Sequence, residues 1–186
     1  LLSERDIQEA MQTLNSGWLA TGPRTREFEA AFGRYVGNSA AVGVTSGTAA
    51  IALALEVAGI GSGDRVITTP MTFAATANQI LLRGALPVFV DVDPATFNMD
   101  VSQVESACSD RVKAILPVHF AGRPCNMREI RRIADPRGIP VISDSAHAIE
   151  AFHAGQKLAA WADISAFSFH PNKNITTGEG GMITTN

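Results

Sequence analysis

Three places in this sequence bring together residue types that could do chemistry. Residues 45–48 read Thr-Ser-Gly-Thr between two apolar stretches. Small hydroxyl residues and a glycine at a helix start leave N–H groups free and turn the positive end of the helix dipole outward. That suits an anion, most simply a phosphate. An ordinary N-cap by Thr45 or Ser46 is the competing explanation, because the loop has neither the lysine of a P-loop nor the spacing of G-x-G-x-x-G. At residues 140–147, Pro-Val-Ile-Ser-Asp-Ser-Ala-His, an apolar stretch ends in Asp144. A carboxylate there either faces a ligand or caps a helix. Residues 167–174, Phe-Ser-Phe-His-Pro-Asn-Lys-Asn, precede a glycine-rich turn at 178–181 and hold one of only three lysines. Lys113 precedes a short strand and is expected in solvent, and Lys157 has the setting of a turn residue. Lys173 alone lies beyond a strand end, level with Asp144. An anion site, an acid and an amine are the three needs of pyridoxal 5'-phosphate (PLP): for its phosphate, its pyridinium nitrogen and its aldehyde.

The elements that must position these residues follow from hydrophobic patterning. Apolar strands are expected at 40–44, 66–69, 86–91, 112–118 and 140–143, with further short runs at 164–169 and 182–184. Helices are expected at 3–14, 25–35, 47–58, 73–82, 101–108 and 127–134. Ser3 followed by Asp6 gives the first helix a capping signature, and Phe28, Ala31, Phe32 and Tyr35 give the second an amphipathic face. Apolar strands alternating with helices indicate a mostly parallel sheet covered on both faces, a three-layer α/β/α fold. In such sheets ligands bind beyond the carboxyl ends of the strands. The expected division is a helical segment at 1–37 and a cofactor-binding domain at 38–186.

Beyond those elements, the sequence resembles the DegT-type sugar-nucleotide aminotransferases, a branch of the fold-type I PLP enzymes. The resemblance runs nearly end to end, through the segments at 16–23, 45–50, 69–76, 87–94, 115–119, 144–147 and 168–174. It implies that Lys173 is the Schiff-base lysine and that Asp144 keeps the pyridine nitrogen protonated. Phe73 would stack on the ring, although a core aromatic on its helix is the simpler account of that residue taken alone. Gly47 and Thr48 would bind phosphate with help from Ser168, and His147 would lie beside the ring. The implied reaction moves an amino group, with glutamate the expected donor, to a nucleotide-linked keto-sugar. Relatives that are dehydratases carry histidine at the lysine position, so Lys173 argues for transamination. A non-catalytic PLP-binding regulator of the same fold remains an alternative. Family members are about twice this length and work as homodimers, with a smaller C-terminal domain that this chain lacks.

Composition narrows the remaining classes. The 186 residues carry 15 basic and 18 acidic side chains, a net charge of −3, and 46% are apolar. No broad basic face is available for a nucleic acid, and no run is long enough to cross a membrane. Two cysteines, Cys108 and Cys125, are expected as free thiols of a cytoplasmic protein. Asp91-Val-Asp93 has the form of a glycosyltransferase D-x-D metal motif, but Asp93-Pro94 is also a natural turn. His119 and Cys125 lack partners for a zinc site, so no metal is expected. The chain opens without Met and stops just after an apolar run, as expected of a piece of a longer protein.

Overall fold

A computed structural model describes residues 2–186. Helix α1 (Glu4–Asn15) starts on the capping box: the Ser3 hydroxyl accepts the Asp6 N–H, and the Asp6 carboxylate accepts the Ser3 N–H at 2.7 Å. Helix α2 (Pro23–Val36) begins two residues before the expected start, because Pro23 is already set for the first turn. Gly37, at φ 82°, ends it in the left-handed region that glycine tolerates.

Strand and helix then alternate: β1 (Ala40–Val44), α3 (Gly47–Val57), β2 (Arg65–Thr68), α4 (Ala75–Leu82), β3 (Leu86–Phe89), α5 (Val101–Ala107), β4 (Val112–Ile115), α6 (Met127–Ala134) and β5 (Ile142–Asp144). A small hairpin, β6 (Phe152–His153) and β7 (Gln156–Lys157), precedes β8 (Ile164–Ser168) and β9 (Gly181–Thr185). The ladders run β3-β2-β4 and β5-β8-β9-β1. Parallel bridges Ile115–Val141 and Val118–Asp144 join them into one sheet, ordered β3-β2-β4-β5-β8-β9-β1. Only β9 runs against the rest, paired antiparallel with β8 on one side and β1 on the other. The mostly parallel α/β/α arrangement expected from the sequence is present.

Adjacent residues on a strand point to opposite faces, and β2 shows it. Val66 packs with Ile51, Leu55 and Ile80 under α3 and α4, while Ile67 packs with Val104, Ile130 and Ile133 under α5 and α6. Helix α2 covers the far end of the second face through Phe28 and Phe32, which meet Phe167 and Phe169 with ring centroids 5.0–5.2 Å apart. Truncating a fully buried side chain such as Leu55 to Ala should cost about 2–5 kcal/mol.

One expectation is corrected, and one competing explanation falls. The helix expected at 73–82 begins at Ala75, so Phe73 precedes it and is 80% exposed, not a core aromatic. No helix follows β5 either: residues 145–151 form turns, and Asp144 caps no helix. The strand expected at 112–118 is formally shorter, but 116–118 still run beside β5 through the Asp144 N–H to Pro117 O bond at 2.9 Å.

Candidate active site

The carboxyl ends of β1, β2, β4, β5 and β8 open onto a cleft of about 610 Å³. Gly47, Thr48, Phe73, Asp144, His147, Ser168 and Lys173, the residues singled out in the sequence, all line it. They come from four separate loops, and the sheet brings those loops together.

At the α3 end the N-cap explanation of the Thr-Ser-Gly-Thr loop holds, and it leaves unused the amides that an anion would need. Ser46 is the N-cap, its hydroxyl accepting the Ala49 N–H at 3.1 Å. Among the described residues the Gly47 and Thr48 amides find no acceptor, so they remain free at the positive end of the helix. Gly47 lies against β8: a Cβ there would stand 2.8 Å from the Ser168 Cβ and 3.3 Å from its Oγ. The start of β9 closes the same loop from behind, since a Cβ on Gly181 would meet the Ser46 carbonyl at 2.4–2.5 Å. The sequence pattern marked 178–181 only as a turn.

Asp144 is 6% exposed at the tip of β5. Its Oδ2 accepts the Thr76 hydroxyl at 2.8 Å and its Oδ1 accepts the Ala146 N–H at 3.2 Å. Burial raises its pKa above 3.8, and the Thr76 and Ala146 bonds together with the fields of His147 and Lys173 oppose that rise. Its backbone is held on both sides, donating N–H to Pro117 O, while Ser145 N–H reaches Ala166 O on β8 at 2.8 Å. His147 follows in the turn, exposed at the cleft wall. Partial desolvation and the Lys173 ammonium hold its pKa below 6.5.

Phe167 and Phe169 point into the aromatic cluster, so Ser168 between them turns the other way, to the cleft. The loop beyond folds back on the strand end. Lys173 N–H donates to His170 O at 2.9 Å, and the Thr176 hydroxyl to Phe169 O at 2.9 Å. Lys173 is half-buried there, whereas Lys113 is exposed on β4. Lys157, expected in a turn, lies in β7, its ammonium over the Tyr35 and Phe152 rings at 3.9 and 4.6 Å.

His119 was considered only as a metal ligand, yet it lines the cleft while 1% exposed. Burial drives its pKa to about 3, so it is neutral. Its Nδ1 accepts the Cys125 N–H at 3.1 Å, which leaves the proton on Nε2 to be given to Ser143 Oγ at 2.8 Å. Ser143 in turn meets Ser145 at 2.6 Å, so the two neighbours of Asp144 are tied together. Thr72 and Thr76 also escaped the sequence pattern. Their pairing depends on the non-helical turn at 70–73 that leads into α4, which hydrophobic periodicity does not register. Asp91 and Asp93 lie outside the cleft, and each carboxylate accepts a backbone N–H of its own turn at 2.7 Å.

Comparison with known proteins places these residues in context. The model of the DegT/DnrJ/EryC1/StrS aminotransferase family matches residues 1–186. The spore coat polysaccharide biosynthesis protein SpsC of Bacillus subtilis is 47% identical over 185 residues, covering 100% of this chain and 48% of SpsC. The PLP form of Spr1654 from Streptococcus pneumoniae, described as a sugar aminotransferase, superposes with a TM-score of 0.96 at 37% identity, over 100% of this chain and 51% of that one. Helicobacter pylori PseC, an aminotransferase of pseudoaminic acid biosynthesis, gives 0.95 at 33% identity, over 100% and 50%. The chain spans about half the length of the relatives it matches.

Proposed function

Since the chain belongs to the DegT/DnrJ/EryC1/StrS aminotransferase family, we propose that it is the cofactor-binding part of a PLP-dependent aminotransferase. The protein would move an amino group from an amino acid, glutamate, to a nucleotide-linked keto-sugar, acting as a homodimer in the cytoplasm. The two thiols, Cys108 and Cys125, are unpaired, in keeping with that compartment. No helix among the described residues is long and apolar enough to cross a membrane. The observation that carries the proposal is the meeting, around one cleft, of the Lys173 amine, the buried Asp144 carboxylate and the free amides at the start of α3.

These residues fit PLP. The Gly47 and Thr48 amides, with Ser168 Oγ beside them, would hold the phosphate. Phe73 would cover one face of the ring, with His147 at its edge. Asp144 would hold the ring nitrogen and Lys173 the aldehyde carbon. When bound, PLP supplies an electron sink for negative charge at the carbon that exchanges its amine. Lys173 Nζ would be the group that moves the proton at that carbon, as general base and then general acid. Asp144 contributes a fixed negative charge that keeps a proton on the ring nitrogen. His147 is neutral near pH 7 because its pKa lies below 6.5, so it can donate one hydrogen bond without adding a positive charge.

The test uses the full-length protein loaded with PLP. Supplied with glutamate and a panel of nucleotide-linked keto-sugars, it should form 2-oxoglutarate and one amino-sugar nucleotide in equal amounts. Cofactor held at Lys173 without amino transfer to any of them would make the protein a PLP-binding regulator instead.

A further inference from the structure

Thr76 is fully buried on the first turn of α4, where an unbonded hydroxyl would cost free energy. It gives its single hydrogen to Asp144 Oδ2 at 2.8 Å. Its 2.7 Å contact with Thr72 Oγ1 must therefore run from Thr72 to Thr76. Thr72 lines the cleft, so a directed chain of hydroxyls leads from the cleft wall to the buried acid. The other carboxylate oxygen is held by the Ala146 N–H. An ionised carboxylate accepts about four hydrogen bonds. Asp144 thus keeps capacity for a donor presented from the cleft while both its oxygens are fixed. The same turn carries Phe73, whose carbonyl accepts the Thr76 N–H at 3.1 Å.

We propose that Thr76 is a positioning residue that favours the carboxylate form of Asp144 and holds its two oxygens at the cleft, and that Thr72 fixes the direction of the bond Thr76 gives. What Asp144 holds rests on the PLP reading above; the coupling of Thr76 to Asp144 is a property of the cofactor-free protein. Other groups act on the acid from every side. His147 and Lys173 favour its charged form. His119, on the adjoining segment, is neutral above pH about 3 and does not titrate in the relevant range. Burial opposes ionisation and outweighs the rest, and the Thr76 hydrogen bond is the strongest influence working against it. A hydrogen bond to a charged group is worth enough to move an equilibrium by about tenfold to a hundredfold.

The experiment compares Thr76→Val, Thr76→Ser and Thr72→Val in the full-length protein. The Asp144 side-chain carboxyl is titrated by 13C NMR without cofactor, and the PLP dissociation constant is measured across pH. Thr76→Val should raise the Asp144 pKa by about one unit or more and weaken PLP binding by about tenfold or more. Thr76→Ser, which keeps the donor, should restore both. Thr72→Val should give a smaller shift of the same sign, and it carries the test if Thr76→Val fails to fold. An Asp144 titration unchanged in the folded Val variants would overturn the proposal. Unaltered protein that binds no PLP, with Asp144 shifted as expected, would overturn the PLP reading and leave the Thr76–Asp144 coupling standing.

Discussion

Gly47 stands so close to Ser168 that a Cβ on it would lie 2.8 Å from the Ser168 Cβ. No side chain fits there without moving β8 or the start of α3, the two elements that frame the proposed phosphate site. Gly47→Ala should therefore weaken PLP binding by about tenfold to a hundredfold through lost phosphate contacts, each charge-assisted and worth about 1.5–3 kcal/mol. Binding of pyridoxal, which lacks the phosphate, should change far less. Equal losses for both ligands, measured by equilibrium dialysis, would place the phosphate elsewhere.

The amine assignment is open to chemical trapping. Borohydride reduction of the PLP-loaded protein should fix the cofactor to the peptide that contains Lys173. Label at exposed Lys113, or at Lys157 packed over its two rings, would count against the assignment. Lys173→Ala should still bind PLP noncovalently but lose about 10²–10⁴-fold in turnover, the usual worth of a positioned proton-transfer group.

Burial of the Asp144 carboxyl bears on stability. Its folded pKa lies above the 3.8 of an unfolded carboxyl, so its contribution is fully present below pH 3.8 and is lost as pH rises through the folded value. Above that folded value the charge is a burden on the cofactor-free protein. Asp144→Asn should then melt higher than the parent near pH 7, by about 2–4 °C for each kcal/mol relieved, and the gap should close toward pH 4. Transamination should fall by about a hundredfold or more, as a loss of roughly 3 kcal/mol in the transition state requires. A variant that melts lower and turns over normally would make Asp144 a purely structural residue.

His119 has the opposite sign. Its pKa falls from 6.5 unfolded to about 3 folded. Its contribution is complete above pH 6.5 and is lost as pH drops toward 3, by several kcal/mol in all. His119→Gln should be less stable at neutral pH but should show a shallower loss between pH 6.5 and 4 by chemical denaturation. Parallel stability curves for the two proteins in that range would mean that His119 titrates normally.

Much of this was legible in the sequence because local rules and tertiary needs agreed. Strand β1 fell at residues 40–44 and α6 at 127–134, where apolar patterning and caps point the same way. Lys173 and Asp144 could be found because Asp144 ends one apolar strand and Lys173 lies just beyond another, and strand ends in such sheets meet at one edge. Phe73 was misjudged as an element: Thr72 and Phe73 form a turn stabilised from Thr69 and Pro70, which periodicity does not register. The roles of Thr76 and His119 depend on partners 68 and 24 residues away. No local pattern announces such pairs.

Strand β9 carries a consequence for the order in which the protein comes into being. As a nascent chain leaves the ribosome, residues 45–48 emerge early, yet among the described residues β1 has no ladder partner except β9, whose residues come about 140 positions later in the register Ala40–Thr185 to Val44–Gly181. Gly181 also packs directly on Ser46 and Gly47. The loop therefore cannot set while synthesis is still within the earlier strands, and closing so long a span is a slow, non-local step. If the loop holds PLP as proposed, capture of the cofactor would have to wait until residue 185 is out of the exit tunnel.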